Sequence, residues 1–97
     1  MVRMRLDIVP SDVSDGPWAY MGDRGLTFEG NRAEADIPYS TTIQRIQLSF
    51  EATNPAAKVD YSLYLDNVFK KKGTAKMVTG TNTGSLTIQF YFPKPKP

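Results

Sequence analysis

The residues best equipped to engage a ligand in this sequence are cationic and aromatic. Phe69-Lys70-Lys71-Lys72-Gly73 is its densest run of charge. Three adjacent lysines project in different directions, which suits several phosphates better than one carboxylate. The same run also fits a sheet edge that lysine protects against aggregation. It follows the turn signal Asp66-Asn67, which places it on a loop or a strand edge. Lys76, Lys94 and Lys96 would extend a basic stripe, and Arg3 and Arg5 project from the polar face of the first predicted strand. Tyr64 and Tyr91 each lie on the polar side of an alternating segment, so both rings are expected at least partly in solvent. An exposed ring on a strand can stack a base or a sugar, or pair with an aromatic neighbour across the sheet. Trp18 and Tyr20 share one face of a short segment between turns, with Arg24 next in Gly22-Asp23-Arg24-Gly25. On a protruding hairpin these make a site for stacking and charge. Packed down, Trp18 instead plugs one end of a barrel.

Bond-making chemistry has little to work with. The 97 residues include no His and no Cys. That removes an imidazole base, a thiolate nucleophile, a disulfide and any Cys/His zinc site. Glu34 and Asp36 share the outward face of a short strand, but nothing sets them in a pocket as a glycosidase-like pair. Asp12, Asp15 and Asp23 are loop acids without the twelve-residue calcium-loop pattern. The phosphate-cradling glycine motifs and the nucleophile elbow are also missing. No enzymatic activity, cofactor or metal is expected.

The elements that must position these residues read as strands. Met4, Leu6 and Ile8 alternate with Arg5 and Asp7; Ile46, Leu48 and Phe50 alternate with Gln47 and Ser49. Val59, Tyr61, Leu63 and Leu65 oppose Asp60, Ser62, Tyr64 and Asp66. Leu86, Ile88, Phe90 and Phe92 oppose Ser85, Thr87, Gln89 and Tyr91. Such period-2 patterning marks half-buried antiparallel strands, with Phe50, Tyr61, Phe90 and Phe92 in the core. A one-residue slip would exchange Tyr61 with Tyr64. Shorter strands are expected at Leu26–Phe28, Ala33–Ile37 and Thr74–Val78. Residues 41–52 also carry helical spacing, but the β-branched Thr41, Thr42, Ile43 and Ile46 favour strand. Turn signals recur at Asp15-Gly16-Pro17, residues 22–25, Gly30-Asn31, Asn54-Pro55, Asp66-Asn67, Lys72-Gly73 and residues 80–84. The fold class is therefore all-β: a small antiparallel, OB-like barrel or a seven- to eight-stranded β-sandwich.

The length suits one domain, residues 1–92, followed by a Pro/Lys tail, residues 93–97, in which alternating prolines cannot extend a central strand. Lys and Arg total 12 against 10 Asp and Glu, a net charge of +2. The charge is uneven. Residues 1–45 hold five Arg and seven acids (−2), and residues 46–97 hold seven Lys and three acids (+4). No apolar run is long enough to span a bilayer as a helix, and no signal peptide is evident. The absence of Cys suits a reducing cytoplasm and equally an extracellular protein that needs no crosslinks.

Both ends carry a resemblance. Arg5-Leu6-Asp7-Ile8-Val9-Pro10-Ser11, a first strand closing on Pro-Ser, resembles the start of the small single-stranded-DNA-binding proteins of filamentous bacteriophages. Gly84-Ser85-Leu86-Thr87-Ile88 with the following Pro93-Lys94 resembles their final strand. Residues 22–29 are loosely similar to the Gly-x-Pro-Tyr motif of their DNA-binding hairpin. Here Arg24-Gly25 stands in place of Pro-Tyr, so Phe28 or Tyr20 would have to supply the stacking ring. The resemblance implies a five-stranded OB-type barrel, a two-fold homodimer, cooperative coating of single-stranded DNA, and residence in the cytoplasm, that of the host for a viral protein.

Two functions follow. In the first, the chain binds single-stranded DNA or RNA with little regard to sequence. Bases stack on Tyr20, Phe28, Tyr64 or Phe69, and phosphates meet Arg24, Lys70, Lys71 and Lys72. In the second, it is a β-sandwich interaction module, a viral structural or decoration protein or a carbohydrate-binding unit. Trp18, Tyr20 and Tyr39 are then the platform, and the lysines a solvated edge. Lysines flanking Tyr64 on one groove would favour the first. A Trp18–Tyr20 patch remote from Lys70 would favour a glycan or protein surface.

Overall fold

The computed structural model describes residues 1–92; the expected Pro/Lys tail, with Lys94 and Lys96, lies outside the described residues. Nine strands form: β1 (Val2–Ser11), β2 (Asp15–Met21), β3 (Arg24–Leu26), β4 (Phe28–Glu29), β5 (Arg32–Ile37), β6 (Gln44–Glu51), β7 (Lys58–Leu65), β8 (Val68–Met77) and β9 (Thr83–Phe90). All pairings are antiparallel. They make a single sheet in the order β3-β2-β6-β9-β8-β7-β1-β5-β4. No residue is helical among the described residues, and no helix is long and apolar enough to cross a membrane.

The two ends of that order are joined by the chain itself. Only Thr27 separates β3 from β4. One extended run therefore pairs with β2 before the bend, through Ala19↔Leu26 and Met21↔Arg24, and with β5 after it, through Phe28↔Ala33. Arg24 Nη1 donates to the Asp36 carbonyl at 3.2 Å across the same junction. The sheet is thus nearly closed and barrel-like, rather than two facing sheets. Leu26–Phe28, expected as one short strand, is the bend that closes it.

Alternation builds the interior. Met4, Leu6, Ile46, Leu48, Phe50, Val59, Leu63 and Ile88 are fully buried. Each such side chain contributes roughly 1.5–3 kcal/mol by leaving water. Two of the large inward rings lie over glycines on the neighbouring strand. Phe50 pairs with Gly84, where a Cβ would fall 2.1 Å from the ring. Tyr61 pairs with Gly73, where a Cβ would fall 2.9 Å from it. Burial also holds the Tyr61 phenol above the ordinary value of 10.0. Phe90 packs edge-on against Phe92, and Tyr39 tilts against Phe92 at 6.0 Å.

Tight turns fix the register. Gly22 and Gly30 open the two-residue turns after β2 and β4 with φ of 65° and 62°, which their missing Cβ permits. Asp66 and Asn67 are both left-handed, at 50° and 65°, and form a type I′ turn between Leu65 and Val68.

Three expectations need correction. Asp15-Gly16-Pro17 is not a turn between strands. It lies inside β2, where Asp15 pairs with Glu51 and Trp18 with Ser49, so one extra residue bulges out and accommodates the proline. The strand expected at Thr74–Val78 begins at Val68, so there is no turn at Lys72-Gly73, and Lys70–Lys72, expected on a loop or a strand edge, stand in the strand. Thr41, Thr42 and Ile43 lie before β6 rather than in it; Ser40 and Thr42 hydroxyls bond each other and hold that segment out of the ladder.

Candidate nucleic-acid interface

The outer surface divides into two walls of different charge. On the wall formed by β5, β1 and β7, cross-strand register sets opposite charges side by side. Arg3 sits 3.1 Å from Glu34 and 3.2 Å from Asp36, and these two acids hold its guanidinium still more firmly protonated, Asp36 foremost. Arg32 meets Asp7 at 2.8 Å, and Arg5 Nε lies 3.4 Å from the other Asp7 oxygen. Asp66 accepts from the Arg3 amide and donates its own amide to the Arg3 carbonyl, both at 2.8 Å, which ties the β7–β8 turn to β1. Three arginines thus face Asp7, Glu34 and Asp36, and their charges cancel. Arg3 and Arg5, expected to add to a basic groove, are spent here. A shallow cleft of about 340 Å³ on this wall is lined by Arg3, Thr27, Glu29, Arg32 and Glu34, and is likewise balanced in charge.

Tyr64 belongs to this wall. Register places Glu34, Arg5, Tyr64 and Phe69 in one row across four strands. The Arg5 guanidinium carbon lies 4.0 Å from the centre of the Tyr64 ring, and Phe69 meets that ring edge-on at 5.8 Å. Tyr64 is only half-buried, but Arg5 covers one of its faces, so at most the other face is open to a base.

The opposite wall is predominantly cationic, its acids being Glu51 on β6 and Asp60 on β7. Among the described residues, Arg45, Lys58, Lys70, Lys71, Lys72 and Lys76 make no ion pair. Four of them follow from β8. A bulge in β8, opposite Leu63 and Tyr64 of the partner strand, leaves Lys70 out of register. Lys72 then faces outward opposite Ser62, and Lys71 falls in the opposite phase. The three lysines do diverge, as the sequence implied. Phe69 begins the run and is 53% exposed, beside Val68 at 67%. Lys76 pairs with Lys58 on one side and Ser85 on the other. Register carries that row on through Ser49 to Trp18. An outward aromatic and two cations therefore share one line across five strands.

The remaining predicted residues are spread around the barrel. Tyr20 is 47% exposed on β2, lying over Gly25, and is separated from β8 by β6 and β9. Arg24 stands on β3 at the closing junction. Phe28 is half-buried and packs against the core, which leaves its ring partly open. The structure thus brings Phe69 together with Lys70, Lys71 and Lys72, sets Tyr64 beside them under Arg5, and leaves Tyr20, Arg24 and Phe28 elsewhere. Tyr39, read as part of a sugar platform, packs on Phe92 and stays 39% exposed. Lys58 and Arg45 were missed. Both lie on the outward phase of alternating strands, a signal that was present but overshadowed by the contiguous lysine run.

Comparison with protein-family models, with curated proteins and with solved structures finds no match.

Proposed function

We propose that the chain is a non-enzymatic, largely sequence-independent binder of single-stranded nucleic acid, DNA foremost. One observation carries the reading: the segregation of unpaired cations onto the β6–β9–β8–β7 wall, beside exposed Phe69 and Trp18, while the β5–β1 wall is neutralised by its own acids. Bases would stack on Phe69 and Trp18, and phosphates would lie along Lys70, Lys72, Lys76 and Lys58. Affinity then comes from counterion release and stacking rather than from hydrogen-bond readout. The resemblance to the phage proteins favours the same partner, and with it an OB-type barrel and a homodimer.

The test is an oligo-dT titration followed by Trp18 fluorescence at about 50 mM and then about 200 mM salt. Contact with four phosphates gives a log–log slope near about −3, so affinity should fall roughly fifty-fold over that range. Absence of binding at low salt would overturn the proposal, because the electrostatic attraction is greatest there.

A second reading, an interaction module for a glycan or protein surface, is favoured by one feature. Trp18 and Tyr20 form an outward pair on β2, two strands away from Lys70–Lys72. Trp18 fluorescence that responds to glycans and not to oligo-dT would select it.

A further inference from the structure

Two strands of the sheet lie side by side and scarcely pair. β8 has ten residues and β9 has eight, yet they meet only at Lys76↔Ser85 and Met77↔Gly84. Each is paired along its other side, β8 with β7 apart from the bulged Lys70, and β9 with β6 throughout. Beyond Lys76 and Ser85 the two strands part, and the barrel carries an open seam.

A side chain reports which backbone groups face that seam. Lys71 Nζ donates to the Gln89 carbonyl at 3.0 Å, in the place where a ladder bond would otherwise run. The Gln89 carbonyl therefore points toward β8. In an antiparallel strand the N–H and C=O of one residue point to the same side, and the side alternates along the chain. Thr87 and Gln89 thus present their backbone groups to the seam from β9. Lys76, paired with Ser85, sets the matching phase on β8, so Thr74 and Lys72 present theirs. Unpaired strand edges are templates for another strand. Here two of them face each other.

The charge around the seam is mostly of one sign. Lys70, Lys71, Lys72 and Lys76 line its β8 side and Arg45 stands behind β9, all without ion pairs among the described residues. β9 itself, Thr83–Phe90, carries no charged residue. A partner seated here meets cations from the β8 edge, and the carboxylate behind that edge, Asp60 on β7, is engaged by the Thr74 hydroxyl at 2.6 Å.

We infer that the β8–β9 seam is a strand-addition site for an extended peptide bearing acidic side chains at alternate positions. Its backbone completes the ladder with Thr74 and Lys72 on one side and Thr87 and Gln89 on the other. Its outward side chains meet Lys72, Lys76 and Arg45, and Lys71 exchanges the Gln89 carbonyl for a peptide carboxylate. The inference stands apart from the nucleic-acid reading, since it rests on backbone edges that a polynucleotide cannot pair with.

The test uses the full chain and a peptide of about ten residues alternating Glu and Thr. A control peptide has the same side chains with alternate backbone nitrogens methylated. Binding is followed by amide shifts and hydrogen exchange. The expected result is saturable binding of the plain peptide, at least about tenfold weaker binding of the methylated one, and new exchange protection at Lys72, Thr74, Thr87 and Gln89. The Lys72→Glu and Lys76→Glu variants, both on exposed positions, should lose the plain peptide as well. Equal binding of the two peptides would reduce the site to a charged surface and overturn the inference. So would no binding, which leaves the lysines as guards of an edge, or protection that appears only elsewhere. Oligo-dT titrated separately keeps the two questions distinct: binding of DNA without peptide sinks only the seam, and binding of peptide without DNA sinks only the nucleic-acid reading.

Discussion

At the residue scale, exposure alone does not make an aromatic ring a platform. Phe69 and Tyr64 are neighbours, but Arg5 sits on Tyr64, a contact of about 0.5–1 kcal/mol. Phe69→Ala should therefore weaken oligo-dT binding by about 1–3 kcal/mol, whereas Tyr64→Ala should leave it within about twofold. A side-by-side titration of the two variants checks this. In the core, Gly84→Ala forces a methyl into the Phe50 ring and should destabilise by about 1–3 kcal/mol in urea unfolding. The cost should shrink in a Phe50→Leu background, because the two sites are coupled. Tyr61 gives the chain a pH limit. Its phenol is held above 10.0 by burial, so the folded state keeps a proton that the unfolded chain releases near pH 10. Its contribution to stability is full below pH 10 and is lost as pH rises through the raised value. Thermal melts from pH 9 to pH 11, compared between wild type and Tyr61→Phe, should show the steeper loss in wild type.

At the element scale, the strands were legible and their partners were not. Alternation in residues 4–8, 46–50, 59–65 and 85–92 placed the inward faces correctly, and Phe50, Tyr61, Phe90 and Phe92 are all buried. The reason is local: a period of two needs no knowledge of the neighbouring strand. The bulge at Asp15–Trp18 and the start of β8 at Val68 were hidden because each depends on what the partner strand does. Tyr64 shows the same limit. Its outward phase was readable, but its Arg5 cover comes from a residue 59 positions earlier, and only register brings the two together. The Asp66-Asn67 turn was readable as a turn, and its left-handed pair gives a sharp expectation. Asn67→Val should cost about 1–2 kcal/mol, while Asn67→Gly should be close to neutral. Denaturant midpoints for the two variants decide it.

At the scale of the whole molecule, a nearly neutral chain has sorted its charge by wall rather than by amount. The net charge of +2 understates what a polyanion would meet, because three of five arginines are already matched by acids on the same face. Charge reversal at Lys72 and Lys76 should abolish oligo-dT binding at about 50 mM salt, and Arg32→Ala should leave it unchanged; electrophoretic shift assays read both. The sheet order carries one more consequence, for the making of the protein. β1 sits between β5 and β7, and its second edge is filled only after residue 58 has been added. During synthesis the Met4–Leu6–Ile8 stripe waits several seconds at ordinary elongation rates, half-clothed by β5 alone. The nascent chain is thus most vulnerable to misassociation through its earliest strand, and a chaperone that shields extended apolar stripes would act there first.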